Sequence, residues 1–289
     1  MTIATIDIGG TGIKFASLTP DGKILDKTST PTPETLEDLL AWLDQRLSEQ
    51  DYRGIAMSVP GAVNQKTGVI EGISAIPYIH GFSWYQVLAH HQLPVHLEND
   101  ANCVGLSELL AHPETENAAC VVIGTGIGGA MMINGKLHRG RHGLGGEFGY
   151  MTTLAPTEKL NNWSQLASTG SMVRYVNEKS GQSDWDGRKI YQEAAAGNVL
   201  CQEAIERMNR NLAQGLLNIQ YLIDPDVISL GGSISQNPDF IKGVQKAVDA
   251  FVEKYEEYTI APVIQACTYQ ADANLYGALV NWLQEEKQW

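Results

Sequence analysis

The chain has 289 residues, 43% of them apolar and 18% charged, with a formal net charge of −13. That length allows two domains with separate cores, and the acidity excludes a nucleic-acid binder, which needs a basic face to displace counterions from phosphate. A nucleotide as a small ligand stays open, because backbone N–H groups and Mg²⁺ can hold a phosphate locally inside an acidic protein.

The first residues, "MTIATIDI", read directly as a strand, with no basic leader, apolar stretch and cleavage site. No apolar run is long enough to span a bilayer. Cys103, Cys120, Cys201 and Cys267 lie far apart and form no C-x-x-C pair. That pattern suits reduced, buried thiols and a cytoplasmic location without a membrane partner.

In chain order, "TIATIDI" is a strand, "GGT" a tight turn, "GIKFASL" a second strand and "KILDKTS" a third after the turn "TPDG". Leu36, Leu39, Leu40, Leu43 and Leu47 then recur at helical spacing. "YRGIAMSVPG" is a strand running into a Pro-Gly stop, "LPVHLEND" another, and "NCVGLSELLAH" a helix with good caps in Asn99 and Asp100. The second half opens alike. "AACVVIGTGIGGAMMINGKLHRG" reads strand, glycine turn, strand, "NG" hairpin, strand. A helical region follows, with Ile205, Met208, Leu212, Leu216 and Ile219 on one face of its longest segment. Then come the strand "DVISLGGSI", a helix from Pro238, the strand "PVIQACT" and the closing helix "ANLYGALVNWLQEE". The order β-β-β-α-β-α thus occurs twice, each copy led by a hairpin turning through "GTG", which predicts two like domains. Pro156 to Asp186 is polar and poorly periodic.

The run Gly124–Gly129 matches G-x-G-x-x-G, but a strand follows it rather than a helix, so it cannot aim a helix N-terminus at a pyrophosphate. Neither loop has P-loop spacing. Glycines at a tight β-turn do let backbone N–H groups form an anion-binding concavity. Thr11 and Thr125 would add hydroxyl donors, and Asp7, at the end of its strand, is placed to hold Mg²⁺ through water.

Six motifs, "DIGGTGIK", "VPGAV", "ENDANC", "IGTGIGGA", "GGEFGY" and "ISLGGSIS", occur in the order found in the ROK family of bacterial sugar kinases. The resemblance covers nearly the whole chain. It implies an α/β protein with the duplicated ribonuclease-H-like, actin-like ATPase fold, its two domains facing each other around a cleft. The domains would be 1–117 and 118–271, with a last helix at about 272–289 packing back on the first. By the same resemblance, Gly9, Gly10, Thr11 and Lys14 bind ATP phosphates, and Asp7 places Mg²⁺. Thr125 and Gly126 close over the same phosphates, and Gly231 and Gly232 lie on the adenosine side. Asp100 is the general base and Asn99 a sugar ligand. Glu147 is a further sugar contact, with Gly61, Tyr78, His80 and Tyr150 on the same side. A homodimer is the expected assembly.

The chain departs from the family pattern at two places. The fourth residue after the glycine pair in "GGEFGY" is usually histidine and here is Tyr150. The cysteine-rich zinc segment that should follow has no cysteine, and Ser164 stands where a sugar-binding glutamate is usual. No structural zinc is therefore expected, and glucose specificity does not transfer. Together with Tyr78, His80, Phe82 and Trp84 in "SAIPYIHGFSW", these losses suit a wider pocket. The acceptor would be the 6-hydroxyl of a hexose, an N-acyl hexosamine or a β-glucoside. His138 and His142 in "HRGRH" read as solvated rather than as a metal pair. The alternative to a kinase is a sugar-binding sensor of the same fold without a DNA-binding domain.

Overall fold

The computed structural model describes residues 2–153 and 161–287. The chain divides into two compact units: Met1–Glu114, Arg139–Gly145 and Ala271–Trp289 form one, Thr115–His138 and Gly146–Gln270 the other.

Unit 1 begins with β1 (Thr2–Ile8), β2 (Gly12–Leu18) and β3 (Ile24–Pro31). Helix α1 (Leu36–Leu47) follows, and then β4 (Tyr52–Val59). A small hairpin, β5 (Ala62–Asn64) and β6 (Val69–Glu71), leads to the single turn α2 (Trp84–Val87). Strand β7 (Val95–Asn99) runs directly into α3 (Asp100–Ala111). The sheet order is β3-β2-β1-β4-β7. The first three strands are antiparallel neighbours, whereas β4 and β7 join parallel to β1. Every residue of β1 is buried. A strand covered on both faces reads as a near-continuous apolar run, which is why "TIATIDI" alternates only weakly. The Thr35 hydroxyl caps α1 on the Asp38 N–H, and Leu39, Leu43 and Leu47 fill one helical stripe against the sheet.

Unit 2 contains β8 (Ala118–Ile123), β9 (Ile127–Ile133) and β10 (Lys136–Leu137). The "NG" turn between β9 and β10 takes positive φ at Asn134 and Gly135, as a tight hairpin requires. The short pair β11 (Thr152–Thr153) and β12 (Asn161–Asn162) precedes α4 (Trp163–Ala167), α5 (Thr169–Ser180), α6 (Gly187–Ala195) and α7 (Val199–Ile223). Strand β13 (Val227–Gly231), helix α8 (Pro238–Lys254) and β14 (Ile264–Ala266) complete it. Its sheet order is β10-β9-β8-β13-β14, again an antiparallel hairpin continued by parallel strands. The duplicated pattern of the sequence is thus realised as two sheets of one topology. The copies differ between third and fourth strands, where unit 1 has α1 and unit 2 has α4 to α7. The described part of the aperiodic segment, from residue 161, begins with β12 and goes on into α4 and α5; residues 156–160 lie outside the described residues. Both helices there are capped by polar side chains, Asn162 and Ser168, within a largely polar stretch that hid their periodicity.

The last helix, α9 (Ala273–Glu285), belongs to unit 1. It buries Leu275, Leu279, Trp282 and Leu283 with Ile3, Ala16, Leu18 and Cys103 on one face of that sheet. Ile6, Phe15, Leu39, Leu43 and Met57 build the core of the other face. A Cβ on Gly54 would come within 2.3 Å of the Trp282 indole, so the strand meets the ring only through glycine. The core of unit 2 is formed around Trp163, Met208, Leu212, Leu216, Leu230 and Phe240.

Candidate functional site

In unit 1 the strand-to-helix junction at β7–α3 carries the acid. Asn99 is the N-cap: its side-chain oxygen accepts the Asn102 N–H at 3.1 Å. Its amide nitrogen reaches the other way, donating to the Gly61 carbonyl at 3.1 Å. Asp100 is the first helical residue, and the Ala101 N–H donates to its carboxylate at 2.8 Å. Burial pushes the Asp100 carboxyl above its ordinary value, and the Asp7 charge adds to this. The Ala101 N–H and the Asn99 side chain pull the other way. A carboxylate poised in this way is a better proton acceptor than a solvated aspartate.

Behind the junction sits Glu98, 2% exposed. It accepts the Arg139 Nε–H at 2.6 Å, the Asn99 N–H at 2.7 Å and the Asn102 side-chain amide at 2.9 Å. Arg139 also donates to Asn281 at 2.7 Å and pairs with Glu285 at 3.3 Å, both on α9. Glu98 therefore locks the backbone that presents Asn99 and Asp100. The motif "ENDANC" contained this acid, but its half-buried partner Arg139 is 41 residues away in sequence, so its role had no local signal.

The first glycine loop joins β1 to β2 and is closed by Gly9 N–H donating to Gly12 O at 3.0 Å, with the Thr32 hydroxyl on Gly9 O. Gly10 and Thr11 are exposed at its tip. Asp7 and Lys14 are register partners across the hairpin, which places the ammonium 3.1 Å from the carboxylate. The other Asp7 oxygen accepts the Asn274 amide at 2.8 Å. Lys14 further donates to Ala271 O. Both Asp7 oxygens thus have protein donors, and the residue is buried. That donor set fits Mg²⁺ held through water better than direct ligation. Asn274, from "ANLYGA", was not anticipated as a partner of this acid.

Gly61 has φ +106° and a Cβ there would meet Glu71 O and Ile70 at 2.9 Å and His80 at 3.1 Å, so only glycine fits. Gly61, Asn99 and His80 are therefore neighbours. His80 Nε2 lies 2.7 Å from the Ser74 hydroxyl, whereas its Nδ1 is buried without a hydrogen-bond partner among the described residues. The Tyr78 hydroxyl is committed to Pro33 O, and Trp84 is fully buried in the core, its indole donating to Ile79 O at 3.0 Å.

Unit 2 gathers the second set. Gly124 N–H donates to Gly126 O at 2.9 Å, closing the turn between β8 and β9. The start of α5 braces it from below, since Gly170 N–H donates to Gly124 O at 3.2 Å and the Ser168 hydroxyl to Thr125 O at 3.0 Å. Ser164 accepts the Ile127 N–H at 2.9 Å. Gly232, at φ +90°, stands against Ile123, whose carbonyl would be 2.1 Å from an added Cβ. Thr125, Gly126, Gly231 and Gly232 are thereby assembled at one end of the sheet. Glu147 opens the single 3₁₀ turn Phe148–Tyr150. The Gly149 in that turn approaches Ile127 O and Ser164 so closely that a Cβ would lie 2.0 and 2.3 Å from them. Tyr150 is 73% exposed.

Beside Gly232 a cavity of about 840 Å³ is lined by Thr169, Gly187, Arg188, Tyr191, Ser233 and Ile234. The Thr169 and Tyr191 hydroxyls are buried without partners among the described residues. Burial drives the Tyr191 phenol strongly upward, so it is a neutral donor at any physiological pH. Thr169, Gly187, Arg188 and Tyr191 were not singled out by sequence, because α5 and α6 bring them in from a stretch with no glycine motif. His138 and His142 are not part of a metal-ligating group among the described residues.

Similarity to known proteins agrees with this arrangement. The ROK family model matches residues 3–285. A β-glucoside kinase of Listeria monocytogenes is 35% identical, with 99% of each chain covered. A β-glucoside kinase of Klebsiella pneumoniae is 31% identical over 98% of this chain and 97% of its own. A crystal structure of a ROK family protein from Streptococcus pneumoniae TIGR4 in complex with sucrose superposes with a TM-score of 0.98, at 89% identity over the whole of both chains. With the two sheets of one topology, the paired glycine turns and the Asn99–Asp100 junction all present, the chain belongs to the ROK family, whose sugar kinases have the actin-like ATPase fold.

Proposed function

We propose that the chain is an ATP-dependent carbohydrate kinase whose preferred acceptor is a glucoside larger than a monosaccharide, of the β-glucoside class. The observation that carries the reading is Asp100, raised in basicity by burial and Asp7 and held at a junction that Glu98 locks from behind. Asp100 accepts the proton of the acceptor hydroxyl, taken as the 6-hydroxyl, while the γ-phosphoryl group passes to that oxygen. The transition state of such a transfer is loose, so the rest of the site works by alignment and charge. Asn99, His80 and Glu147 orient the sugar. The backbone turns at Gly9–Thr11 and Thr125–Gly126, with Lys14, hold phosphates, and the cavity beside Gly232 takes the adenosine. Mg²⁺ arriving with the nucleotide, held through water by Asp7, would offset charge on the phosphoryl oxygens.

Three observations support the larger acceptor. Two full-length relatives are β-glucoside kinases, and the structure at 89% identity holds sucrose. Ser164 spends its hydroxyl on the Ile127 backbone, and a cavity of about 580 Å³ opens beside it. An ATP-consumption panel over glucose, N-acyl hexosamines, sucrose and β-linked disaccharides tests this. The highest kcat/KM is expected for a β-linked disaccharide. A preference for free glucose would refute the acceptor class, and no turnover with any sugar would refute the kinase.

The same reading places the protein in the cytoplasm, where its nucleotide is. Among the described residues no helix is long and apolar enough to cross a membrane. It also predicts a homodimer, for which the exposed apolar side chains Tyr221, Leu222, Tyr255 and Ile260 offer a contact. Mass in solution decides that point.

A further inference from the structure

We infer that unit 1 carries a binding site for a late first-row divalent cation, of the Zn²⁺, Co²⁺ or Ni²⁺ class, formed by Asp44, His90 and His91. Asp44 projects from the last turns of α1, and the two histidines lie in a 3₁₀ turn, Ala89–His91, just before β7. His90 Nε2 is 3.1 Å and His91 Nε2 2.8 Å from the same oxygen, Asp44 Oδ1. The three donor atoms lie within 4.8 Å of one another. Tetrahedral zinc, with bonds of about 2.0–2.1 Å, sets its ligand atoms about 3.3 Å apart, a spacing close to the two nitrogen–carboxylate distances.

Hydrogen-bond inventory says that something positive belongs there. His90 Nδ1 faces the Val87 carbonyl at 3.1 Å while its Nε2 faces the carboxylate. A neutral imidazole has one N–H and cannot donate to both. An imidazolium satisfies both contacts; with Nδ1 alone protonated, the Nε2 lone pair faces Asp44 Oδ1 and a cation between them would relieve that repulsion. A carbonyl fixing the tautomer from the far side of the ring is also the usual support of a metal-ligating histidine. Two imidazoles and one carboxylate suit borderline metals rather than Mg²⁺ or Ca²⁺, which prefer all-oxygen sets. Exposure of 56% for the His90 side chain and 46% for Asp44 leaves the remaining coordination positions to water.

The site is independent of the kinase reading. Strand β7 runs from the histidine turn to Asn99, so the cluster lies at the opposite end of that strand from Asp100. A cation there would tie α1 to the turn that starts β7 and act on stability rather than on phosphoryl transfer.

Tag-free full-length protein titrated with Co²⁺ should take up one equivalent with a visible absorption band, displaced by Zn²⁺, and Zn²⁺ should raise the melting midpoint. Asp44→Asn and His91→Gln, both at sites that leave the core intact, should each weaken Co²⁺ binding by about 10–100-fold or more and remove the Zn²⁺ effect on melting. Absence of saturable Co²⁺ uptake by the wild type would leave the cluster as an imidazolium–carboxylate pair and overturn the site. Uptake unchanged in both variants would overturn it equally.

Discussion

Asp100 is placed where its charge is costly to the fold, and the proposed mechanism uses that charge as the base. Its folded-state carboxyl lies above its ordinary value, so the native protein holds that proton more tightly than the unfolded chain does. The penalty is fully present above the raised value and disappears as pH falls through it toward the unfolded value of about 3.9. Asp100→Asn is therefore expected to melt higher than wild type at neutral pH, with the gain fading on acidification. In the same variant sugar binding should persist, while turnover drops by about 10²–10⁴-fold, the usual contribution of a positioned base. Calorimetric melting across pH and a coupled kinase assay check the two halves. Near-normal turnover would remove Asp100 from the base role. The acid limb of wild-type kcat/KM should likewise lie above that of a solvated aspartate. Glu98 behaves differently, since its charge is buried and needs its partner. Arg139→Met leaves that carboxylate without its cation while the Asn99 and Asn102 donors remain, and breaking a buried pair costs at most about 3–5 kcal/mol. Denaturant titration should show a loss of that order, reduced in the double variant Glu98→Gln, Arg139→Met.

Among the elements, the hairpins were the most legible part of the sequence and the helical insert the least. "TIDIGGTGIKF" and "VVIGTGIGGAM" announce themselves because a glycine turn between two apolar strands has few other uses, and both are hairpins of equivalent position. Asn99 was legible as a cap for the same local reason, whereas Asp100, read as a cap as well, is the first helical residue. What holds these groups in place was not, because it acts at long range. Asn274 reaches Asp7 from 267 residues away, Arg139 reaches Glu98 from another stretch of the chain, and Thr169 and Tyr191 line one cavity with Ser233 and Ile234 only through the packing of α5 and α6. Ser164 shows the limit most clearly. By resemblance it marks a lost sugar ligand. In the structure it accepts the Ile127 N–H and donates to Ile127 O at 3.2 Å, bracing the strand that leaves the second glycine turn. Ser164→Ala removes both bonds, and at about 1 kcal/mol net for such a hydrogen bond the protein should still fold. The looser turn is expected to raise KM for ATP several-fold with kcat little changed. Steady-state kinetics at varied ATP tests this, and an effect confined to KM for the sugar would assign Ser164 to the acceptor side instead.

The molecule as a whole is assembled out of sequence order. Unit 2 lies in the interior of the chain, whereas unit 1 needs both the N-terminal strands and the segment Ala271–Trp289. Helix α9 buries Leu275, Leu279, Trp282 and Leu283 to 3% exposure or less. At about 1.5–3 kcal/mol for each such side chain, their loss amounts to about 6–12 kcal/mol, against a total stability of about 5–15 kcal/mol for an ordinary domain. Removal of α9 also uncovers Gly54, whose missing side chain exists to admit Trp282, and leaves Glu98 with fewer supports through Arg139 and Asn281. No residue of the unit 2 core comes from that segment. A chain stopped after Gln270 is therefore expected to keep unit 2 folded and lose unit 1, although nearly all of the unit 1 sheet is still encoded. Limited proteolysis with mass spectrometry should recover a resistant fragment within 115–270 and rapid cleavage before it. A resistant fragment covering 2–114 would show that the N-terminal sheet stands without α9.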